Sequence, residues 1–328
     1  MIPNKLKKGD EVRIIAPSRS AVILGEDCKK IATERLENLG LKVTFGKHIY
    51  EADEDYLTAS IENRVEDLND AFKDKNVKAI LTVIGGFNSN QLLDYIDYDA
   101  IRNNPKILCG FSDITALLDS IYAKTGLVTY CGPHYSSFGM KYGFEYELDY
   151  FVKMFFQEEE FELSSSKEWS DDLWFIDQEK REFIPNEGMY VINEGEAEGD
   201  IVGGNLCTLN LLQGTEYMPS IENKILFIED DNGAGNAYLM DFDRNLQSLM
   251  HLPKFETVKG IVIGRNQKGC NMTKEKWIKL IKNKKELNNI PVIAGADFGH
   301  STPIFTFPVG GHARLIANKD DLKLFIKG

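Results

Sequence analysis

Hydrophobic and polar positions follow two rhythms along this chain. Short unbroken apolar runs recur, and between them lie stretches where apolar residues return every three or four positions. The first rhythm marks strands covered on both faces and the second marks amphipathic helices. Residues 11–16 (EVRIIA) predict a strand ending in Pro17-Ser18. A helix follows from about Asp27, with Ala32, Leu36 and Leu39 on one face and Gly40 closing it. Residues 41–45 predict a second strand, and Ile61, Val65, Leu68 and Phe72 a second helix. Residues 77–84 (VKAILTVI) are a near-continuous apolar run ending in Gly85-Gly86-Phe87-Asn88, after which residues 91–96 turn helical. Ile107, Leu108 and Cys109 form another run. It reaches a tight turn at Gly110-Phe111-Ser112, where Gly110 permits the bend, and then a helix through Ile114, Leu117, Leu118 and Ile121. With a strand at 127–131, the alternation predicts a doubly wound α/β layer whose sites lie at strand carboxyl ends.

The rhythm breaks after a helix at about 146–156. Residues 158–185 are polar, acidic and serine-rich, yet carry Trp169, Trp174 and Phe175, so part of this stretch folds over something. We divide the chain into an N-terminal α/β domain (1–160), a connecting segment (161–190) and a C-terminal α/β domain (191–328). The last contains buried strands at 224–228 and 258–264, a helix capped by Thr273, a short strand at 290–293, and closing strands near 304–307 and 313–316. A chain of 328 residues is long enough for two domains.

Composition narrows the classes. A net charge of −13 argues against a nucleic-acid polymer as partner. No apolar run follows Met1 and none is long enough to span a bilayer, so the expectation is a cytoplasmic protein with no membrane partner. Five scattered cysteines without C-x-x-C spacing fit reduced thiols rather than a disulfide frame or a zinc site.

Candidate chemistry gathers at the turns. Ser112, lifted from a strand beside a helix N-terminus, has the setting of a nucleophile elbow, although the final glycine of G-x-S-x-G is missing; helix capping is the alternative. A serine nucleophile needs a base. Of five histidines, His300 lies in a Gly-His turn after a short strand, whereas His48, His134 and His251 sit in ordinary contexts and His312 lies near the closing strands. Glu229 ends an apolar strand and can orient a base; Glu229-Asp230-Asp231 can also be read as an acidic turn or a Mg²⁺ ligand set. The Asp113 N–H and the amides of Gly85-Gly86 are candidate oxyanion donors. Asn205 is a candidate substrate contact or a helix cap.

Six stretches then coincide in order: Ile15 to Ser18 (IAPS), Ile84 to Ser89 (IGGFNS), Gly110 to Leu117 (GFSDITAL), Gly203 to Leu206 (GGNL), Ile225 to Asp230 (ILFIED) and Asp297 to Pro303 (DFGHSTP). Together they resemble the LD-carboxypeptidase family of serine peptidases. The resemblance implies a Ser112–Glu229–His300 triad, oxyanion amides at Gly86 and Asp113, a flavodoxin-like N-terminal domain, an active site in the interdomain cleft, and a homodimer without cofactor or metal. It implies one of two substrates, a murein tetrapeptide or an aminoacyl- or peptidyl-nucleotide of the microcin C type. EWSDDLW (Glu168 to Trp174) and GDIVGGNL resemble the second, microcin-immunity branch. There Trp174 first and Trp169 second are placed to stack on a base, with packing within a linker as the alternative. Ser18 and Gly85 are counted with the substrate contacts. A non-catalytic two-domain binding protein is the reading of another class.

Overall fold

The computed structural model describes all 328 residues. The elements are, in order, β1 (Glu11–Ile15), α1 (Glu26–Asn38), β2 (Lys42–Phe45), α2 (Ile61–Lys73), β3 (Val77–Thr82), α3 (Tyr98–Asn103), β4 (Ile107–Gly110), α4 (Thr115–Thr125), β5 (Thr129–Cys131) and α5 (Glu145–Phe156). They continue with β6 (Phe161–Glu162), β7 (Glu168–Trp169), β8 (Ile184–Pro185), β9 (Tyr190–Asn193), β10 (Gly195–Asn205), α6 (Leu206–Asn210), β11 (Ile225–Glu229) and α7 (Tyr238–Met250). The chain closes with β12 (Gly260–Gly264), α8 (Lys274–Lys282), β13 (Val292–Ala296), β14 (Phe307–Val309), β15 (His312–Asn318) and β16 (Asp321–Lys327).

Two sheets organise the molecule. The first runs β14-β5-β4-β3-β1-β2, with β1 to β5 parallel. The second runs β6-β16-β15-β10-β11-β12-β13-β9, parallel from β10 to β13 and antiparallel outside them. The central strands β4, β11, β12 and β13 read as nearly unbroken apolar runs, as strands covered on both faces do, whereas the edge strand β2 alternates and is partly exposed. The fold is therefore the expected two-domain α/β arrangement, with the site in the cleft.

Three features differ from the sequence expectation. Residues 91–96 lie in a 3-10 segment, Ser89–Tyr95, rather than a regular helix. β6 to β9 and β16 are additional strands. The chain near 304–307 does not close the second sheet: Phe307–Val309 crosses over and pairs antiparallel with β5. Phe307 packs at 4.9 Å from Phe227 of the second sheet, so this crossing ring buries the seam between the sheets. One apolar core of 86 buried residues runs through both halves. The two strand ends that face each other are held by this shared core.

Candidate active site

Ser112 follows β4 after one residue and stands at φ 60°, the left-handed region. For a residue with a side chain this costs about 1–3 kcal/mol and persists only where the surroundings impose it. The bend thus falls on the serine itself, not on Gly110. Gly110 serves another need: a Cβ there would lie 2.2 Å from Thr82 Oγ1, so glycine lets β4 and β3 approach. A 3-10 turn, Ser112–Ile114, leads directly into α4.

His300 and Glu229 arrive from the second sheet. His300 Nε2 lies 2.9 Å from Ser112 Oγ, and its Nδ1 lies 2.8 Å from Glu229 Oε2. With a proton on Nδ1 donated to Glu229, Nε2 is free to accept the serine proton. Gly299, at φ 110°, makes this possible, because a Cβ there would lie 2.6 Å from Glu229 Oε2. Burial opposes charge on His300, but Glu229, with Asp231 and Asp230 behind it, outweighs burial and raises its pKa to about 9. Burial, then Glu229 and Asp231, push Asp230 up to about 7, which limits the negative charge crowded at this strand end. His134 is a core residue: it stacks on Phe111 at 4.3 Å, and burial lowers its pKa to about 3.

The Gly86 and Asp113 amides flank the serine, and neither donates to another group of the chain. Gly85 is buried, and a Cβ on it would lie 3.1 Å from Ser112 Oγ. The loop after β3 is held by a residue whose side chain the sequence reading passed over. Asp113 Oδ2 accepts from the Asn88 N–H at 3.0 Å, the Ser89 N–H at 2.9 Å and Ser18 Oγ at 2.7 Å. Arg64, also unanticipated, donates to the carbonyls of Pro17 and Asn88 from the other side. One residue therefore carries one candidate oxyanion amide and fixes, through its carboxylate, the loop that carries the other. Ser18 is completely buried in this clamp, so its hydroxyl is a strut and not the substrate contact expected.

Asn205 is likewise spoken for. Its Oδ1 caps α6 through the Thr208 N–H at 3.1 Å, and its Nδ2 donates to Glu229 Oε1 at 3.3 Å and Asp230 Oδ1 at 3.1 Å. The cap alternative describes it, with the added task of steadying Glu229. The preceding glycines dock the two halves. Gly203 donates to Asp119 and the Asn205 N–H donates to Thr115 Oγ1 at 3.0 Å, so the serine's helix α4 seats on the end of β10.

The tryptophan segment forms a strap. β7 and β8 pair, and Ser170 exchanges two 2.8 Å backbone hydrogen bonds with Thr302, two residues after His300. Trp169 lies under the Arg265 guanidinium at 5.3 Å, and Arg265 pairs with Asp297. Trp174 lies across the cleft, in a cavity of about 270 Å³ with Ile23, Leu24 and Cys28 of the first half. The structure thus places the two indoles in different settings. No group of three or more histidine, cysteine, aspartate or glutamate side chains is arranged to hold a metal. No helix is long and apolar enough to cross a membrane.

Comparison with known proteins matches residues 12–132 to the LD-carboxypeptidase N-terminal domain and residues 198–315 to the LD-carboxypeptidase C-terminal domain. A putative carboxypeptidase of Bacillus subtilis, YocD, is 54% identical over 99% of each chain. The microcin C7 self-immunity protein MccF of Escherichia coli is 32% identical, covering 93% of this chain and 90% of its own. A probable murein peptide carboxypeptidase of B. subtilis is also 32% identical, over 95% and 91%. Among solved structures, an MccF-like protein from Bacillus anthracis superposes with a TM-score of 0.98 at 55% identity, covering 100% of this chain and 99% of its own. MccF in complex with glutamyl sulfamoyl guanosine superposes at 0.86 and 29% identity, covering 99% and 98%.

Proposed function

The chain belongs to the LD-carboxypeptidase family, and on that premise we propose that it is a serine hydrolase cleaving an amide-type bond next to a carboxyl or nucleotide leaving group. The observation that carries this reading is His300 bridging Ser112 and Glu229 across the cleft, with Ser112 held in a left-handed turn.

Ser112 Oγ attacks the carbonyl as His300 Nε2 takes its proton. Glu229 stabilises the imidazolium, and the Gly86 and Asp113 amides receive the oxyanion. Collapse expels the leaving nitrogen, which takes the proton from Nε2. A water, deprotonated by His300, then attacks the acyl-serine; Ser112 recovers its proton and the acid is released.

The substrate we propose is an aminoacyl- or peptidyl-nucleotide of the microcin C type, hydrolysed in the cytoplasm. The 55% identity to an MccF-like protein and the nucleotide analogue bound in the MccF structure support it. A second reading, murein tetrapeptide carboxypeptidase, is supported by the murein-peptide relative of B. subtilis. A parallel assay separates them: purified protein with an aminoacyl-sulfamoyl adenosine in one tube and murein tetrapeptide in the other, each read by mass spectrometry beside Ser112→Ala. Free amino acid from the first tube alone is the expected outcome. Loss of D-alanine from the second alone moves the protein to the murein reading, and turnover by Ser112→Ala equal to wild type removes the serine mechanism.

A further inference from the structure

The chain has nine arginines, and eight of them set the guanidinium on a carboxylate or on main-chain carbonyls. Arg19 is the exception: its side chain makes no hydrogen bond or ion pair within the chain. In a protein with a net charge of −13, carboxylates are plentiful, so an unpaired arginine is a matter of placement.

That placement is beside the oxyanion loop. β1 lies next to β3, which lies next to β4, so the turns carrying Arg19, Gly86 and Ser112 follow one another along the same edge of the sheet. The Arg19 backbone is fixed there, its N–H donating to Gly85 O at 3.4 Å. A Cβ on Gly86 would lie 3.2 Å from Arg19 Cγ, so the aliphatic stem runs against the residue whose amide is proposed to receive the oxyanion. The guanidinium rests on the Phe87 ring with Cζ 5.1 Å from its centroid. Phe87 itself is 79% exposed and Arg19 is half-buried, so the cation stands at the surface on a ring that the chain does not cover. The ring holds the cation through its π face and occupies none of its five N–H donors.

We propose that Arg19 binds the anion of the leaving group, and so makes this site selective for amide bonds followed at once by a negative charge. The inference rests on the serine-hydrolase reading above. It applies to both proposed substrates: the oxygens of a terminal carboxylate lie three bonds from the leaving nitrogen, and those of a phosphoryl group, or of a sulfamoyl group sharing the charge of its ionised acyl-sulfamate nitrogen, lie two bonds from it. A planar fork of donors suits either.

The test uses the full chain and a matched pair of substrates, murein tetrapeptide and the same peptide with its terminal carboxylate as carboxamide. Acyl-sulfamoyl adenosine, which carries the anion as a sulfamate, is the third arm. Wild-type kcat/KM favours the carboxylate over the carboxamide, and Arg19→Gln reduces that ratio by about 10- to 100-fold, the worth of a charge-assisted hydrogen bond. Arg19→Lys restores part of it, as a point charge without the fork. Loss on the sulfamate with the carboxylate–carboxamide ratio unchanged would restrict Arg19 to sulfur and phosphorus oxyanions and overturn the proposal in its general form. Equal losses on all three arms would mean that Arg19 only supports the loop, and no loss would also overturn it. Binding of the same compounds to Ser112→Ala and to Ser112→Ala/Arg19→Gln, by calorimetry, reads the part of the anion preference that Arg19 carries without turnover. If Ser112→Ala still hydrolyses like wild type, the catalytic reading fails, while the change that Arg19→Gln makes in the carboxylate–carboxamide kcat/KM ratio still decides the role of Arg19.

Discussion

The Ser112–His300–Glu229 cluster and the Trp169–Trp174 strap lie beside each other and are built on opposite principles. Every member of the cluster sits at or shortly after a strand end, and glycines leave room for the approach: a Cβ on Gly299 would clash with Glu229 Oε2 at 2.6 Å, and one on Gly85 would crowd Ser112 at 3.0 Å. Glu229 is 4% exposed. The strap is joined to the His300 loop through Ser170 and to the first half through Gln178, which donates to Gly139 O at 2.9 Å. Between these ties Leu173, Phe175 and Ile176 are 59 to 71% exposed. On the proposed reading, rigid elements fix the geometry of bond-breaking, where an ångström is costly, and the exposed part of the strap is left for the variable part of a substrate.

Removing the serine hydroxyl has the greatest consequence. Ser112→Ala is expected to lower kcat by about 10⁴-fold or more, with the circular dichroism spectrum unchanged. A comparable loss from any strap substitution would show that chemistry does not belong to the cluster alone.

The next effect is a pH dependence of about 100-fold. Only neutral His300 accepts the serine proton, and its pKa is raised to about 9. kcat/KM is therefore expected to climb about tenfold per unit from pH 7 and to level off above about 9. The same shift bears on stability with the opposite sign. A histidine charged more readily when folded contributes stability that is complete below its unfolded pKa near 6.5 and lost as pH rises through about 9. Glu229→Gln removes the largest raising influence, so burial prevails and the midpoint falls. Rate profiles of both proteins between pH 6 and 10 check this; a wild-type midpoint near 6.5 would show that Glu229 does not hold the charge in solution.

Much of the cluster was legible in the sequence because its signals are local. An apolar run followed at once by a polar residue marks a strand end, and Ser112, Glu229 and His300 each follow such a run. Ser18 and Asn205 share that local signature, yet their polar atoms are consumed by Asp113, Thr208 and Glu229, partners that only the assembled fold brings near. Gly110 misled for a related reason. A glycine beside a bend suggests that it makes the bend, whereas here it makes room for Thr82, and the strain falls on Ser112. The crossing of Phe307 into the first sheet leaves no local trace, since a three-residue strand reads the same in either sheet.

The two indoles of the strap stand in different settings. Trp174 looks into a cavity beside Ile23 and Leu24 at the carboxyl end of the first sheet. On the nucleotide reading, Trp174→Ala raises KM for an aminoacyl-sulfamoyl adenosine by about 10-fold, the worth of one stacked base, with a much smaller change for murein tetrapeptide.

The smallest effect expected is at Trp169. Its ring carries Arg265, whose partner Asp297 also accepts from the Ser166 N–H at 2.7 Å and lies three residues before His300. Trp169 thus belongs by its contacts to the cluster's support, although by sequence it belongs to the strap. Trp169→Ala removes one cation–π contact and should lower unfolding stability by about 1 kcal/mol, read by urea titration. The pair Arg265–Asp297 remains, so kcat and the nucleotide KM should move less than twofold. A KM increase at Trp169 larger than that at Trp174 would exchange the two roles. It would also place the base-binding surface on the His300 side of the cleft rather than across it.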